Sequence, residues 1–468
     1  MVAEKKKIDF TEGKLFGKIL WFVLPIVVTN LLQTFYNAAD MMVVSLSSEV
    51  NAVGAIGTTS PFVNLVLNTF IGFSIGANVV VARGIGANDR GKAQRAVHTA
   101  LLLGLITGLI GCGVGILVAR PVLEGMGNHG SLLELSVVYT DIYFLGVPFL
   151  ALTNYLIAIF RAKGDSKTPL IVLSLAGLFN VVLNFIFVVF FGMSVEGVAL
   201  STAIANVVSF VVLLIKLRRD KDFTTFSFRQ LKISVKELRD IITVGVPAAL
   251  QGVLFSLSGI LMQSSIVAVN NKLCPAGTDY QPVVNGSAAA GNLLGFTYTA
   301  MNAVYQGAIT FTSQNMGANK PERVKPIMYN CFLIVTIIGL IMGPSVYLLR
   351  NPLLALYGVV DGAEGSLEHL AMYAAATRLL YESLPYFLCG MMEVCTGVLR
   401  GLGRSMLSML ISLVGACLLR IIWIWTVFPL FYTMEIISLG YPITWIITTL
   451  TAYSFIQVIL RHIVKNKV

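Results

Sequence analysis

Between Asn30 and Asp40 the chain reads NLLQTFYNAAD, inside an apolar run from Ile19 to Leu46. On a helix, Asn30, Gln33, Asn37 and Asp40 recur at spacings of three and four, so they share one polar stripe. Only Asp40 in that stripe can exchange a proton or balance a cation. A charged side chain at mid-bilayer costs about 3 kcal/mol or more, and it persists where it faces a cavity or has partners. Such an acid can take up a proton on one side of a membrane and release it on the other, the minimum chemistry of an antiporter. The alternative reading is an Asp tied permanently to neighbouring amides as a helix-packing device.

Three further groups of polar residues interrupt apolar segments. Asn180 and Asn184 stand one turn apart in NVVLN, and Ser201 and Thr202 follow in the next segment. They could complete a cation site or make interhelical hydrogen bonds worth about 1 kcal/mol. Nearer the C-terminus are Arg378, Glu382, Glu393 and Arg420. The eleven-residue separation of Glu382 and Glu393 puts them about 16 Å apart along a helix, too far to work as an acid and base pair. A buried Arg420 needs a carboxylate, and Glu393, deeper in its helix than Glu382, is the expected partner in a structural or gating pair. An unpaired Glu393 would instead be a second proton or substrate-cation site.

The elements that carry these residues are membrane helices. The chain has 468 residues, 56% hydrophobic and 12% charged, far from the roughly 25% charged residues of soluble domains. Apolar runs of about 20 residues, the length that spans the hydrocarbon as helix, recur along it. Twelve spans are expected near 17–45, 52–82, 96–119, 134–160, 168–191, 196–217, 240–270, 286–315, 327–350, 367–399, 406–430 and 436–462. The first is too long for a signal-peptide core and is read as a true span.

The net charge of +10 does not point to nucleic acid. All 33 Lys and Arg residues except Arg120, Lys272, Arg350, Arg378 and Arg420 fall in the gaps that follow spans two, four, six, eight and ten and in the two tails. The positive-inside rule then puts both termini in the cytoplasm. Arg83, Arg161, Arg323 and Arg400 are expected at lipid head groups. The six cysteines imply no disulfide framework, the four histidines have no metal-ligand spacing, and no phosphate loop or nucleophile motif stands out. Neither an enzyme activity nor a cofactor is expected.

The chain also matches itself. Pro25 pairs with Pro247, Gly86-Ala87-Asn88 with Gly317-Ala318-Asn319, Pro148 with Pro385, Arg161 with Arg400 and Gly197 with Gly440, at an offset that grows from 222 to 243 residues. Each half holds six spans and enters from the same side, so the halves are parallel repeats, with a substrate site expected near the midplane between them. The organisation expected is an N-lobe over 1–215, a basic cytoplasmic linker over 216–239 and a C-lobe over 240–468.

At this level the chain resembles the multidrug and toxic compound extrusion (MATE) transporters over nearly its whole length. LPIVVTNLLQTFYNAADMMVV (24–44) is similar to the family's first helix. GIGAND (84–89) and SQNMGANKPERVK (313–325) resemble its paired loops. YFLGVPFLALTNYLIAIFRAKGDSKTP (143–169) and YFLCGMMEVCTGVLRGLGRS (386–405) resemble its fourth and tenth helices with their turns. The resemblance implies an all-α membrane protein of two pseudo-symmetric six-helix lobes, a monomer that exports small lipophilic cations in exchange for protons or sodium ions. It also implies an ion site of Asp40, Asn37, Asn180 and Thr202, with Asn184 standing where many relatives have Asp. One acid fewer favours a single proton over sodium.

A polyspecific pocket needs apolar and aromatic walls with few directed polar groups. On the spans that flank the cleft in the family, Gln33, Phe35, Tyr36, Phe62, Phe70, Met262, Gln263, Tyr298, Met301, Asn302 and Tyr305 are the candidates. The same residue types also fill ordinary helix interfaces. A flippase for a lipid-linked sugar precursor would share the two-lobed plan but needs a strongly basic cavity for its diphosphate. With only Arg378 and Arg420 inside the spans, that reading is the weaker one.

Overall fold

The computed structural model describes residues 10–47, 49, 51–126, 128–220, 222, 224–274 and 281–465. Lys5, Lys6, Lys7, Lys221 and Lys467, part of the basic face read from the sequence, lie outside them. The described chain is helical, and its long helices follow the expected spans. They are α1 (Leu15–Val44), α2 (Ala52–Gly86), α3 (Arg90–Gly125), α4 (Gly130–Ala162), α5 (Lys167–Phe185, continued by a π-turn Ile186–Phe190) and α6 (Val195–Arg219) in the first half. In the second half come α7 (Val235–Leu273), α8 (Pro282–Gly317), α9 (Val324–Leu348) and a short α10 (Arg350–Ala355). The tenth span is α11 (Leu367–Arg378), a π-turn Leu379–Ser383 and α12 (Tyr386–Gly401). The eleventh is α13 (Ser405–Ser412), a π-turn Leu413–Leu418, α14 (Leu419–Thr426) and α15 (Phe428–Phe431), and the twelfth is α16 (Met434–Lys465). Twelve membrane-length segments result, six in each half.

The repeat read from the sequence is visible in the backbone. In the first Gly-Ala-Asn turn Ala87 N–H donates to Arg83 O at 2.9 Å and Asn88 N–H to Ile85 O at 3.0 Å. In the second, Ala318 donates to Gln314 O at 2.9 Å and Asn319 to Met316 O at 3.2 Å, the same bonds one repeat later. Asn88 and Asn319 have φ of 54° and 55°, the left-handed conformation that ends a helix and that Asn tolerates better than most residues. The Arg161 and Arg400 turns match in the same way: Gly164 and Gly403, three residues on, have φ of 84° and 76°.

The chain divides into two compact units. One comprises Met1–Glu12, Leu24–Gly252 and Ser313–Asn319, the other Gly13–Val23, Val253–Thr312 and Lys320–Val468. The equivalent helices α1 and α7 thus each pass from one unit to the other, close to their equivalent prolines, Pro25 and Pro247. In the first unit α4 packs on α2, α3 and α6 around a core that includes Leu101, Leu152, Tyr155, Leu156, Phe160, Leu213 and Leu217. In the second, α12 packs on α9 and α16. Large apolar side chains such as Trp21, Leu117, Phe190, Leu348 and Trp425 are exposed, as a surface solvated by hydrocarbon allows.

The segment after α6 is fastened to the first unit. The buried Lys163 pairs with Asp220 and lies 3.6 Å from Asp222. Ser227 N–H donates to His98 Nε2 at 3.1 Å, Ser234 N–H donates to Thr99 Oγ1 at 3.0 Å, and Arg95 pairs with Glu237 at 3.0 Å.

Candidate functional site

The polar stripe of α1 meets α5 and α6 in the first unit. Asn184 Nδ2 donates to Asp40 Oδ1 at 2.5 Å, and Ser201 Oγ donates to the Asn184 carbonyl oxygen. Turned so that its nitrogen faces the acid, the Asn180 amide donates to the same Asp40 oxygen at 2.9 Å and accepts from Thr202 N at 3.2 Å. That orientation avoids setting one acceptor against another. Asn180 and Asn184 reach one oxygen because a separation of four puts them on the same face of α5. Both amides are buried and Asp40 is half-buried. Asp40 has no Lys or Arg partner among the described residues, so its charge is met by neutral donors alone.

Tyr36, placed in the substrate cavity by the sequence reading, has a different position. Its ring lies against Gly177 of α5, where any Cβ would overlap it, and its hydroxyl donates to Ser174 O at 3.0 Å. It thereby seats α1 on α5, one helical turn from Asp40. Gln33 and Asn37 are exposed, and among the described residues no hydrogen bond joins Asn37 to the Asp40 cluster. Tyr139 and Tyr143 of α4, stacked at 6.1 Å, lie within electrostatic reach of Asp40. The sequence reading missed both, although their spacing of four in an apolar span was a signal that they share a face.

In the second unit the expected pairing of Glu393 with Arg420 is not formed. Arg420 donates to Thr444 Oγ1 at 3.2 Å, and its guanidinium lies 4.1 Å from the Tyr441 ring centroid. The carboxylate near it is Glu382, which pairs directly with Arg378 at 3.0 Å. Arg378 also donates to the Ser287 carbonyl and hydroxyl oxygens at 2.9 and 3.1 Å. Glu382 pairs with Arg378 because it stands four residues on along the same helical segment. Glu393 is 9% exposed and forms no hydrogen bond or ion pair among the described residues, with Tyr298 and Cys389 within its electrostatic reach. Arg400, expected at the head groups, is 5% exposed and donates to the Tyr305 hydroxyl.

The remaining cavity candidates divide by burial. Phe62 packs in a core with Phe70 and Phe144, its ring 5.3 Å from that of Phe144. Met262 is buried among Ile266, Val269, Phe428 and Met434. Met301 and Tyr305 are buried as well. These five are buried at helix interfaces in this structure and do not line an open cavity there. Gln263 and Tyr298 are exposed and Asn302 is partly so.

Comparison with known proteins decides the family. The MatE family model matches residues 25–186 and 281–426, one block in each half. The chain belongs to the MatE family. It is 25% identical, over 98% of its length and 96% of the relative's, to the probable multidrug resistance protein YoeA of Bacillus subtilis strain 168. It is 23% identical to the multidrug export protein MepA of Staphylococcus aureus strain NCTC 8325, over 89% of this chain and 88% of MepA. Its fold matches a MOP superfamily transporter from Pyrococcus furiosus with a TM-score of 0.88, at 19% identity over 98% of this chain and 99% of the other. It also matches an outward-facing multidrug resistance MATE family transporter at 0.87, with 19% identity over 99% of this chain and 100% of the other. This MATE chain is thus a membrane transporter by family, and Asp40 with its two asparagines is its best-defined polar cluster inside a span.

Proposed function

We propose that this MATE protein is a secondary active multidrug exporter that exchanges small lipophilic cations for protons, with sodium as the alternative ion, by alternating access. Asp40 is its coupling residue. The observation that carries this reading is the Asp40 carboxylate held by Asn180 and Asn184. Amide donors stabilise a carboxylate without cancelling its charge, so the balancing positive charge must come from a proton, a metal cation or a cationic substrate. An Asp meant only for packing would be served as well by an Asn. Asn184 contributes an amide where a second acid would favour sodium, which supports a single proton.

The names of the YoeA and MepA relatives support multidrug export as the task. The engagement of the interior arginines supports it against a lipid-diphosphate flippase, because Arg378 is held by Glu382, Arg420 by Thr444 and Tyr441, and Arg400 by Tyr305. We place the protein in the bacterial inner membrane as a monomer with both termini in the cytoplasm. The test is uptake of a fluorescent lipophilic cation into inside-out vesicles under an imposed proton or sodium gradient. Uptake that follows the proton gradient in the wild type and is lost in Asp40→Asn is the expected result. Equal uptake by the two proteins would remove Asp40 from the mechanism.

A further inference from the structure

At the basic end of the second unit, the turn before α9 and the last two turns of α16 enclose a groove of about 690 Å³. That volume lies in the range of about 300–1,000 Å³ typical of small-ligand sites. Its floor is apolar, from Pro321, Leu460 and Val464, and its rim carries Lys325, Arg461 and Lys465 against the single acid Glu322. The three cations form no ion pair among the described residues. Gln457, deeper in the groove, has its amide nitrogen buried with no hydrogen-bond partner among the described residues, a donor that costs about 1–3 kcal/mol unless a ligand accepts from it.

From this arrangement we infer that the groove is a binding site for one anionic glycerophospholipid of the cytoplasmic leaflet. α9 begins and α16 ends here, so the rim lies where both helices leave the membrane, on the side that the Lys and Arg distribution makes cytoplasmic. Juxtamembrane cations attract anionic head groups, and the apolar floor suits the glycerol and first acyl carbons. Below the rim, the hydroxyls of Tyr329 and Tyr453 meet at 2.7 Å across α9 and α16, closing the seam along which the acyl chains run. The phosphate is held by Lys325, Arg461 and Lys465, and Gln457 donates to an ester or phosphate oxygen.

The test is native mass spectrometry of the full-length protein, released from micelles doped with equal amounts of phosphatidylglycerol and phosphatidylcholine. The expected result is one tightly retained phosphatidylglycerol, preferred at least tenfold over phosphatidylcholine. In the triple variant K325Q/R461Q/K465Q the preference disappears, and in Gln457→Leu retention falls several-fold. All three cations are exposed, so the triple variant is expected to melt at the wild-type temperature, and its melting temperature is measured alongside. Equal retention of the two lipids by the wild type, or an unchanged preference in the folded triple variant, overturns the inference. The readout is independent of transport, so failure here leaves the exporter reading untouched.

Discussion

Asn184 donates to Asp40 across α5 and α1 at 2.5 Å, and the Asn184 carbonyl oxygen is itself held by Ser201 of α6. The acid is thus braced through two helices by neutral groups, and changes at the two ends of the bond have different expected outcomes.

Asp40→Asn removes the only group in the cluster that can carry a proton, and gradient-driven uptake into inside-out vesicles should fall at least tenfold, to background. Folding should survive, because an amide can still hydrogen-bond to Asn184 once its neighbours rotate. Asn184→Asp does the reverse and sets a second carboxylate against Asp40. Two carboxylates at this distance cannot both stay charged without a cation between them. The variant should therefore gain a sodium-driven component of uptake that the wild type lacks, and a flat response to sodium would count against ion binding at this cluster.

The contact of Tyr36 with Gly177 predicts a steric defect. Gly177→Val pushes the Tyr36 ring off α5 and carries Asp40 away from its asparagines. A fall in melting temperature and loss of uptake are expected together. Tyr36→Phe keeps the ring and loses only the hydroxyl bond to Ser174, at a cost of about 1 kcal/mol. It should transport at close to the wild-type rate, and a null phenotype would give the hydroxyl a direct part in transport.

Legibility in the sequence followed the range of each interaction. Helix positions could be read because span length and hydropathy are local properties. The repeat could be read because Gly-Ala-Asn and Pro anchors mark turns whose backbone demands few residue types, and the matched φ angles of Asn88 and Asn319 are the physical reason. That Asp40 faces Asn180 was expected from the family resemblance alone, because residue types and spacing within single spans do not say which helices pack together. Partner choice inside the second unit was misread. The reading favoured depth along the helix and chose Glu393 for Arg420, whereas Glu382, in the π-turn at Leu379–Ser383, lies beside Arg378. The spacing of four between Arg378 and Glu382 was the signal that would have found this pair. Phe62, Met262, Met301 and Tyr305 were ambiguous for another reason: aromatic and Met side chains suit a pocket wall and a helix interface equally well.

The Arg378 and Glu382 pair should behave as a structural element. Arg378→Gln leaves Glu382, 3% exposed, without its partner, and breaking one side of a buried pair costs about 3–5 kcal/mol. A large drop in melting temperature is expected for the single variant. In Arg378→Met combined with Glu382→Leu the charge is gone from both sides, and most of that loss should be recovered. If the double variant is no more stable than the single, the electrostatic account of this pair is wrong.

Glu393 gives the opposite expectation. With no hydrogen bond or ion pair to lose among the described residues, Glu393→Gln should leave the melting temperature unchanged or raise it slightly, since it removes a buried ionisable group that no partner stabilises. Transport then decides its role. If Glu393 receives the cationic substrate beside Tyr298, the variant should show a raised KM for cations and unchanged handling of neutral compounds, while the dependence on the proton gradient is retained through Asp40. If Glu393 carries a second proton, the number of protons exchanged per substrate should fall for cationic and neutral compounds alike. We expect the first pattern, because Tyr298 is exposed and lies within electrostatic reach of the acid, and an aromatic ring together with a carboxylate suits an organic cation better than it suits a proton. Measured side by side in Asp40→Asn and Glu393→Gln, the two defects should differ in kind, the first in coupling and the second in substrate preference.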